Sequence, residues 1–197
     1  MDDLHTNTPL SQAIFQLFEG LESLIQERYQ DLPPGSVKAY VFGGCAIHLF
    51  TNARGSNDLD AELEAAKKLD MKSVILELDP VYFDDPETGP SSLDWDNTFN
   101  TGIPSLSSDY KSGTIPLVSG DNILHVHLVS AVDIAVSKLS RLAPDDMKDI
   151  ISLYEAGRFD LDEFIESAQD AVDYSATPGS LQGNVTFAIN TLKELKQ

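Results

Sequence analysis

Residues Val41 to Glu62, VFGGCAIHLFTNARGSNDLDAE, constrain this chain more than any other stretch, because a double glycine and two aspartates one residue apart fall in one short run. Tyr40-Val41-Phe42 is an apolar run of the kind that forms a short buried strand. Gly43-Gly44 then allows a tight turn into a helix whose unpaired amides can hold an anion. In Asp58-Leu59-Asp60 the period of two that marks a strand sets both carboxylates on one face and Leu59 on the other. Strand, turn, helix, strand is the predicted core unit.

Around that unit the pattern alternates between helices and short strands. Thr8 to Gln30 carries apolar residues at Ile14, Phe15, Phe18, Leu21, Leu24 and Ile25, which is helical spacing, with Thr8 as N-cap and Pro9 in the first turn. Asp31-Leu-Pro-Pro-Gly35 stops this helix, and Lys38 to Phe42 reads as the first strand. Three apolar runs follow, Val74-Leu78, Val81-Phe83 and Leu124-Leu128, and Pro86-Glu-Thr-Gly-Pro90 suggests a hairpin between Tyr82 and Trp95. The polar stretch from Asn97 to Ser112 is long for a loop in a compact domain, a length that often goes with function. After Ser130 and Asp133 the pattern turns helical to the end, punctuated by Pro144, Gly157, the Asp160/Glu163 capping box and Thr177-Pro-Gly179. The expected fold class is α/β (α+β), a small mixed sheet with flanking helices. Residues 1–130 are expected to form the α/β core and 131–197 a helical C-terminal layer.

Charge and cysteine content narrow the function. Thirteen basic residues against 32 acidic ones give a formal net charge of −19, a field that repels nucleic-acid backbones outside a local basic patch. Strong non-specific nucleic-acid binding is therefore not expected, and the charge leaves room for a basic protein partner. The lone Cys45 permits no intrachain disulfide and fits a reducing compartment. The N-terminal MDDLHTNTP lacks a basic region followed by an apolar core, and no apolar run reaches membrane-spanning length, so a cytoplasmic location is expected.

Paired carboxylates suit a hard divalent cation such as Mg²⁺, which takes one or two protein carboxylates and fills its remaining positions with water and phosphate. In-line attack at phosphorus needs alignment and charge neutralisation more than covalent help, and Arg54 is the nearest cation to the pair. Strand, Gly-Gly, short helix, then Arg-x-Ser-x-Asp-x-Asp resembles the nucleotide-binding core of the DNA polymerase beta-like nucleotidyltransferase superfamily. By that resemblance Gly43 and Gly44 hold a triphosphate and Asp58 and Asp60 hold magnesium. Val132 to Arg141, with Lys138, followed by Asp146-x-x-Asp149-Ile150, is similar to the C-terminal block of the abortive-infection AbiE-type toxin nucleotidyltransferases. It is closer still to an uncharacterised bacterial family of the same lineage. Leu93 to Asn100, Ser108-Asp-Tyr110 and Ile115-Pro-Leu117 look like that family too, so the resemblance covers roughly residues 36 to 155. It implies transfer of a nucleoside monophosphate from an NTP to an acceptor that is a protein, an RNA or a small molecule, with a toxin-antitoxin role as one context. The alternative is a fold that has lost its chemistry and binds nucleotide or protein.

Two departures from the superfamily pattern stand out. Thirteen residues separate Gly44 from Asp58, more than in minimal members, which predicts an extended first helix or loop. The third carboxylate is expected at Asp96, since Leu93 and Trp95 would face the core while Asp94 and Asp96 share the opposite face. The rival strand, Leu124-His-Val-His-Leu128, offers His125 and His127 instead of acids, and a site built there would be altered. Ser56, Lys138 and Arg141 join the nucleotide-binding candidates. Lys138 and Arg141, three residues apart, share a helix face as a phosphate clamp would, and the same spacing equally suits a lacing of two helices through Asp146 and Asp149; both readings can hold together, since neighbouring carboxylates orient a catalytic cation. His125 and His127 are expected to be packed and hydrogen-bonded, and Cys45 to be a small buried residue.

Overall fold

A computed structural model of the chain describes residues 4–53, 55–102 and 104–195. It falls into two compact units. The first takes in the chain up to Phe99 together with Thr114–Leu128; the second takes in Asn100–Gly113 and the chain from Val129 onward. Among the described residues there are seven α-helices and two small sheets, the mixed α/β class that the alternating pattern implies.

The first unit begins with helix α1 (Pro9–Arg28), capped by the Thr8 hydroxyl, which accepts from the Ser11 amide at 3.1 Å. Its apolar stripe is buried as the 3.6-residue period requires: Leu10, Ile14, Leu17, Phe18, Leu21 and Ile25 are all sealed from solvent. The larger sheet runs in the order β3-β1-β7-β6, from β1 (Val37–Val41), β3 (Ala61–Ala65), β6 (Ile115–Val118) and β7 (Leu124–Leu128). Strand β1 is antiparallel to β3, with Val41 opposite Ala61, and parallel to β7, with Tyr40 opposite His127. The smaller sheet, β2-β5-β4, contains β2 (Asp58–Leu59), β4 (Val81–Asp85) and β5 (Gly89–Trp95). Strands β4 and β5 form the hairpin expected around Pro86–Pro90, and α1 packs on both, with Phe18 meeting Trp95 edge-on at 5.9 Å. Of the Val74-Leu78 run, Val74 and Ile75 end a short helix, α3 (Met71–Ile75), started by the Asp70 carboxylate, and Leu76 and Glu77 leave it as a turn.

The Asp58 segment is not one strand. Asp58 and Leu59 pair with β5, and the Asp96 amide donates to the Leu59 carbonyl at 3.1 Å. One residue later the Asp60 carbonyl accepts from the Phe42 amide at 2.8 Å, and the chain continues as β3 beside β1. Asp60 is thus the joint at which one segment leaves the smaller sheet for the larger. Leu59 on one side of it and Ala61 on the other are both buried.

The second unit is helical apart from its loop segment: α4 (Ala131–Ser137), a 3₁₀ turn (Lys138–Ser140), α5 (Pro144–Glu155), α6 (Leu161–Tyr174) and α7 (Pro178–Leu195). Local chemistry sets the boundaries. Ser130 caps α4, accepting from the Asp133 amide at 3.1 Å. Gly157 at φ +66 closes α5. Asp160 and Glu163 form the reciprocal capping box that starts α6. Ile134, Leu139, Ile150, Leu153, Phe164, Ala168, Val185 and Leu192 fill the interior. No helix of the described residues is long and apolar enough to cross a membrane.

The buried stripe of α1 carries the first unit, so Leu21→Ala, at a fully buried position, is expected to cost about 2–5 kcal/mol. Leu76→Ala, at a position 65% exposed, is expected to stay within about 0.5 kcal/mol of wild type. Urea unfolding followed by circular dichroism checks both, and equal losses would contradict this assignment of the core.

Candidate active site

The site starts where β1 hands over to helix α2 (Gly43–Thr51). Phe42 is the extended N-cap residue, no side chain caps the helix, and the first turn contains no acid. Gly43 enters at φ +61, the left-handed region that favours glycine. Space imposes the same choice. A Cβ on Gly43 would lie 2.7 Å from the Asp60 Cγ and closer still to Oδ2, so the Asp60 carboxylate occupies the place where a side chain would stand. Gly43 and Gly44 are both buried.

Sheet register gathers the acids. Asp58 lies opposite Asp94 in the parallel β2–β5 pair, and Leu59 opposite Trp95; continuing the ladder by one residue brings Asp96 beside Asp60. The Asp60 carboxyl lies within hydrogen-bonding reach of the Asp96 carboxyl. Asp96 itself is anchored by Thr98, whose hydroxyl and amide donate to Oδ1 at 2.6 and 2.8 Å. Burial alone would raise the Asp96 carboxyl, but the Thr98 hydroxyl and amide, together with Asp60, outweigh it and hold the group below the ordinary carboxylate range. Asp58 and Asp94 are exposed, whereas Asp60 and Asp96 are half-buried. Among the described residues no three His, Cys, Asp or Glu side chains are grouped as a metal cage. Two adjacent half-buried carboxylates nevertheless fit the donor set of a magnesium-like ion, which completes its shell with water and phosphate. Carboxyls this close either share a proton or need a cation between them.

The remaining candidates are dispersed. Ser56 donates to the Asp58 carbonyl at 2.8 Å and so ties down the loop before β2. Arg54 lies outside the described residues. Cys45 is fully buried, with its thiol 3.4 Å from the Asp58 carbonyl. On the neighbouring strand His127 stacks on Tyr40 at 5.4 Å, and burial, with His125 and Lys38 nearby, pushes its pKa down. His125 meets the Gly120 carbonyl at 3.1 Å. His125 is hydrogen-bonded as expected, and so is His127, whose Nδ1 meets the Thr114 hydroxyl at 3.5 Å while its Nε2 is buried without a hydrogen-bond partner. In the helical unit Lys138 is 3.0 Å from Asp149 and 3.8 Å from Asp146, both buried, and Arg141 grips Asp146 through Nε and Nη2 at 2.7 Å each. This is the lacing of two helices that the Lys138/Arg141 and Asp146/Asp149 spacing allows. It is made on the 3₁₀ turn after α4 rather than on one continuous helix face.

Over residues 12–193 the chain matches the family described as "Nucleotidyltransferase of unknown function (DUF6036)". The chain belongs to that family. Among solved structures it is similar to the antibiotic-resistance factor ANT(2'')-Ia, at 14% identity and a TM-score of 0.39, over 94% of this chain and 96% of that one. That likeness is too distant to speak for substrate. No curated protein matches the chain.

Two neighbours of the acids in this family member are not evident from motif spacing. Thr98 has a sequence signal, since Asp-x-Thr forms a side-chain-to-backbone turn of the Asx type. Phe99, whose ring lies 5.3 Å from that of Phe42, has none, because the contact depends on the turn after β5.

Gly43→Ala is expected to cost about 1–3 kcal/mol from backbone strain alone, plus the displacement of Asp60. Combining it with Asp60→Ala is expected to recover at least about 0.5 kcal/mol relative to additivity. A double-mutant cycle from urea unfolding measures this, and strict additivity would mean that the two residues do not press on each other.

Burial works to raise the Asp146 carboxyl, but the Arg141 fork, the Ala143 amide and Lys138 pull it below its ordinary value. Its contribution to stability is therefore complete above the unfolded-state pKa of about 3.9, and is lost as pH falls through the lower folded-state value. Asp146→Asn is expected to be about 1.5–3 kcal/mol less stable than wild type at neutral pH, with the gap closing in more acidic solution. A gap equally wide at both ends of the pH range would assign the loss to packing instead of charge.

Proposed function

We propose that this chain transfers a nucleoside monophosphate from an NTP to an acceptor hydroxyl, at a site built on Asp58, Asp60, Asp96 and the Gly43-Gly44 turn. The observation that carries the reading is the Asp60 carboxylate, packed against Gly43 at the start of a helix with the Asp96 carboxyl as its neighbour. Asp60 and Asp96 would hold Mg²⁺, with Asp58 at the exposed end of the set. The bound ion would neutralise charge on the phosphates. The amides at the start of α2 take the phosphate tail, and Ser56 keeps the Asp58 loop in place. One carboxylate of the three accepts the proton from the acceptor hydroxyl. The new bond joins that oxygen to the α-phosphorus while the bond to pyrophosphate breaks. Arg54 balances phosphate charge in this reading, and Lys138 and Arg141 act within the helical unit.

The acceptor is a protein, an RNA or a small molecule. The net charge of −19 favours one that is not itself polyanionic. A toxin-like role follows from the AbiE-type resemblance and is testable by growth arrest on expression. A second reading, a nucleotide- or protein-binding module without chemistry, draws support from the absence of a three-ligand cage among the described residues and from the burial of both glycines.

Thermal-shift titration with each NTP and Mg²⁺ tests binding, because a ligand selective for the folded state raises its stability. Label transfer from α-phosphate-labelled NTP into lysate tests chemistry. Asp60→Asn and Asp58→Asn are each expected to cut transfer by at least about a hundredfold. Binding without transfer in the wild type would select the second reading. Transfer that survives both substitutions would show that the site lies elsewhere.

A further inference from the structure

The second unit contains a cavity of about 380 Å³, bounded by the loop after Asn100, the end of α6 and the start of α7. That volume is within the range of small-molecule pockets, about 300–1,000 Å³. Its lining differs from the rest of this acidic chain. Six hydroxyl side chains face it, those of Thr101, Ser105, Ser140, Ser175, Thr177 and Ser180, and no charged side chain of the described residues does. The ring of Tyr174, 71% exposed at the last position of α6, also belongs to its wall.

We propose that this cavity binds a neutral polyhydroxylated ligand, a monosaccharide or cyclitol, with one face of the ligand against Tyr174. An anion would draw on cations and an ammonium group on carboxylates, and the wall offers neither among the described residues. Hydroxyls both donate and accept, as the hydroxyls of a sugar do. Several are already oriented. Ser140 and Ser180 donate to the Ser137 and Thr177 carbonyls at 3.4 and 3.1 Å, which leaves their lone pairs to accept from a ligand. Ser175 accepts from the Thr177 amide at 3.1 Å and keeps its proton to donate. The hydroxyls of Thr101, Ser105, Thr177 and Tyr174 make no hydrogen bond among the described residues and are available in both senses. An exposed tyrosine supplies a flat apolar face next to a polar tip, which matches the C–H face and hydroxyl rim of a pyranose. The buried Ala171 and Leu181 close the floor.

This site goes beyond nucleotidyl transfer, and its test requires neither NTP nor catalysis. Amide correlation spectra of the full chain, titrated with methyl β-D-glucopyranoside and with myo-inositol, are expected to show saturable shifts at Gly102, Ser140 and Ser175 with at least one of the two. Tyr174→Ala is expected to weaken that binding about tenfold, the equivalent of 1.4 kcal/mol, while Tyr174→Phe, which keeps the ring, retains most of it. Ser180→Gln, which fills the cavity from an exposed helical position, is expected to abolish the shifts with the fold intact. The proposal is overturned if neither neutral probe moves these amides, or if Tyr174→Ala and Ser180→Gln leave the titration unchanged. It is also overturned if spermidine or inorganic phosphate produces the same pattern.

Discussion

The first unit depends on one close approach, that of the Asp60 carboxylate to Gly43. Asp60 is the residue at which a single segment changes sheets: the carbonyl before it belongs to the β2–β5 ladder, and its own carbonyl belongs to the β1–β3 ladder. Two hydrogen-bond networks are therefore registered through one residue. Gly43, directly beneath, starts α2 at a positive φ and leaves no room for a side chain. A larger residue at Gly43 would push against the joint, and a shift of the joint would move both ladders. The same contact that fixes the fold brings an acid to the head of a helix. Structural and chemical demands coincide there, which is common where a site is built from the meeting points of regular elements.

How far each feature can be read in the sequence follows the range of the interaction behind it. Helices α1 and α6 announce themselves because their stripes and caps are local, as Thr8 with Ser11 and Asp160 with Glu163 illustrate. The β4–β5 hairpin is equally local, since Pro86–Pro90 supplies the turn. The break at Asp60 is not legible. Period-two alternation continues unbroken from Asp58 through Glu62, and only the distant partners Trp95 and Phe42 decide that the strand divides. The apolar Val74–Leu78 run shows the ambiguity of short apolar segments, which periodicity cannot assign to helix or strand. Asp70, a helix-capping residue, starts the helix that takes in Val74 and Ile75.

At the acids, the alternation of Leu93 and Trp95 with Asp94 and Asp96 can be read directly, but the register that brings Asp96 beside Asp60 cannot. A slip of two residues would have kept the alternation and set Asp94 there instead. What fixes the register is the pair of backbone bonds from Asp94 to Asn57 and from Asp96 to Leu59, at 2.9 and 3.1 Å. The turn that Thr98 makes with Asp96 then holds the side chain toward the joint. Lys138 and Arg141 teach a related lesson. Their spacing suits a phosphate clamp and a helix brace equally, and burial of Asp146 and Asp149 accounts for the brace, because an unpaired carboxylate at 1% or 4% exposure is costly.

Charge pairing also bears on how a chain this acidic could meet a triphosphate. With 13 basic residues against 32 acidic ones, cations are scarce, and many of those described are engaged locally. Arg28 pairs with Glu77, Lys38 with Glu64 and Lys148 with Asp145, in addition to the Lys138 and Arg141 contacts. The three surface pairs, those of Arg28, Lys38 and Lys148, contribute little to stability, yet they lower the local positive potential available to a ligand. In the proposed reading, neutralisation of the phosphates therefore falls on backbone amides and on an ion held by carboxylates, not on a basic surface patch. Such a design reverses the usual electrostatic relation between protein and phosphate: negative side chains become useful because they recruit the cation. It also separates nucleotide recognition from nucleic-acid attraction, since a cation held at one point draws a compact triphosphate without offering a track for a polyanionic backbone.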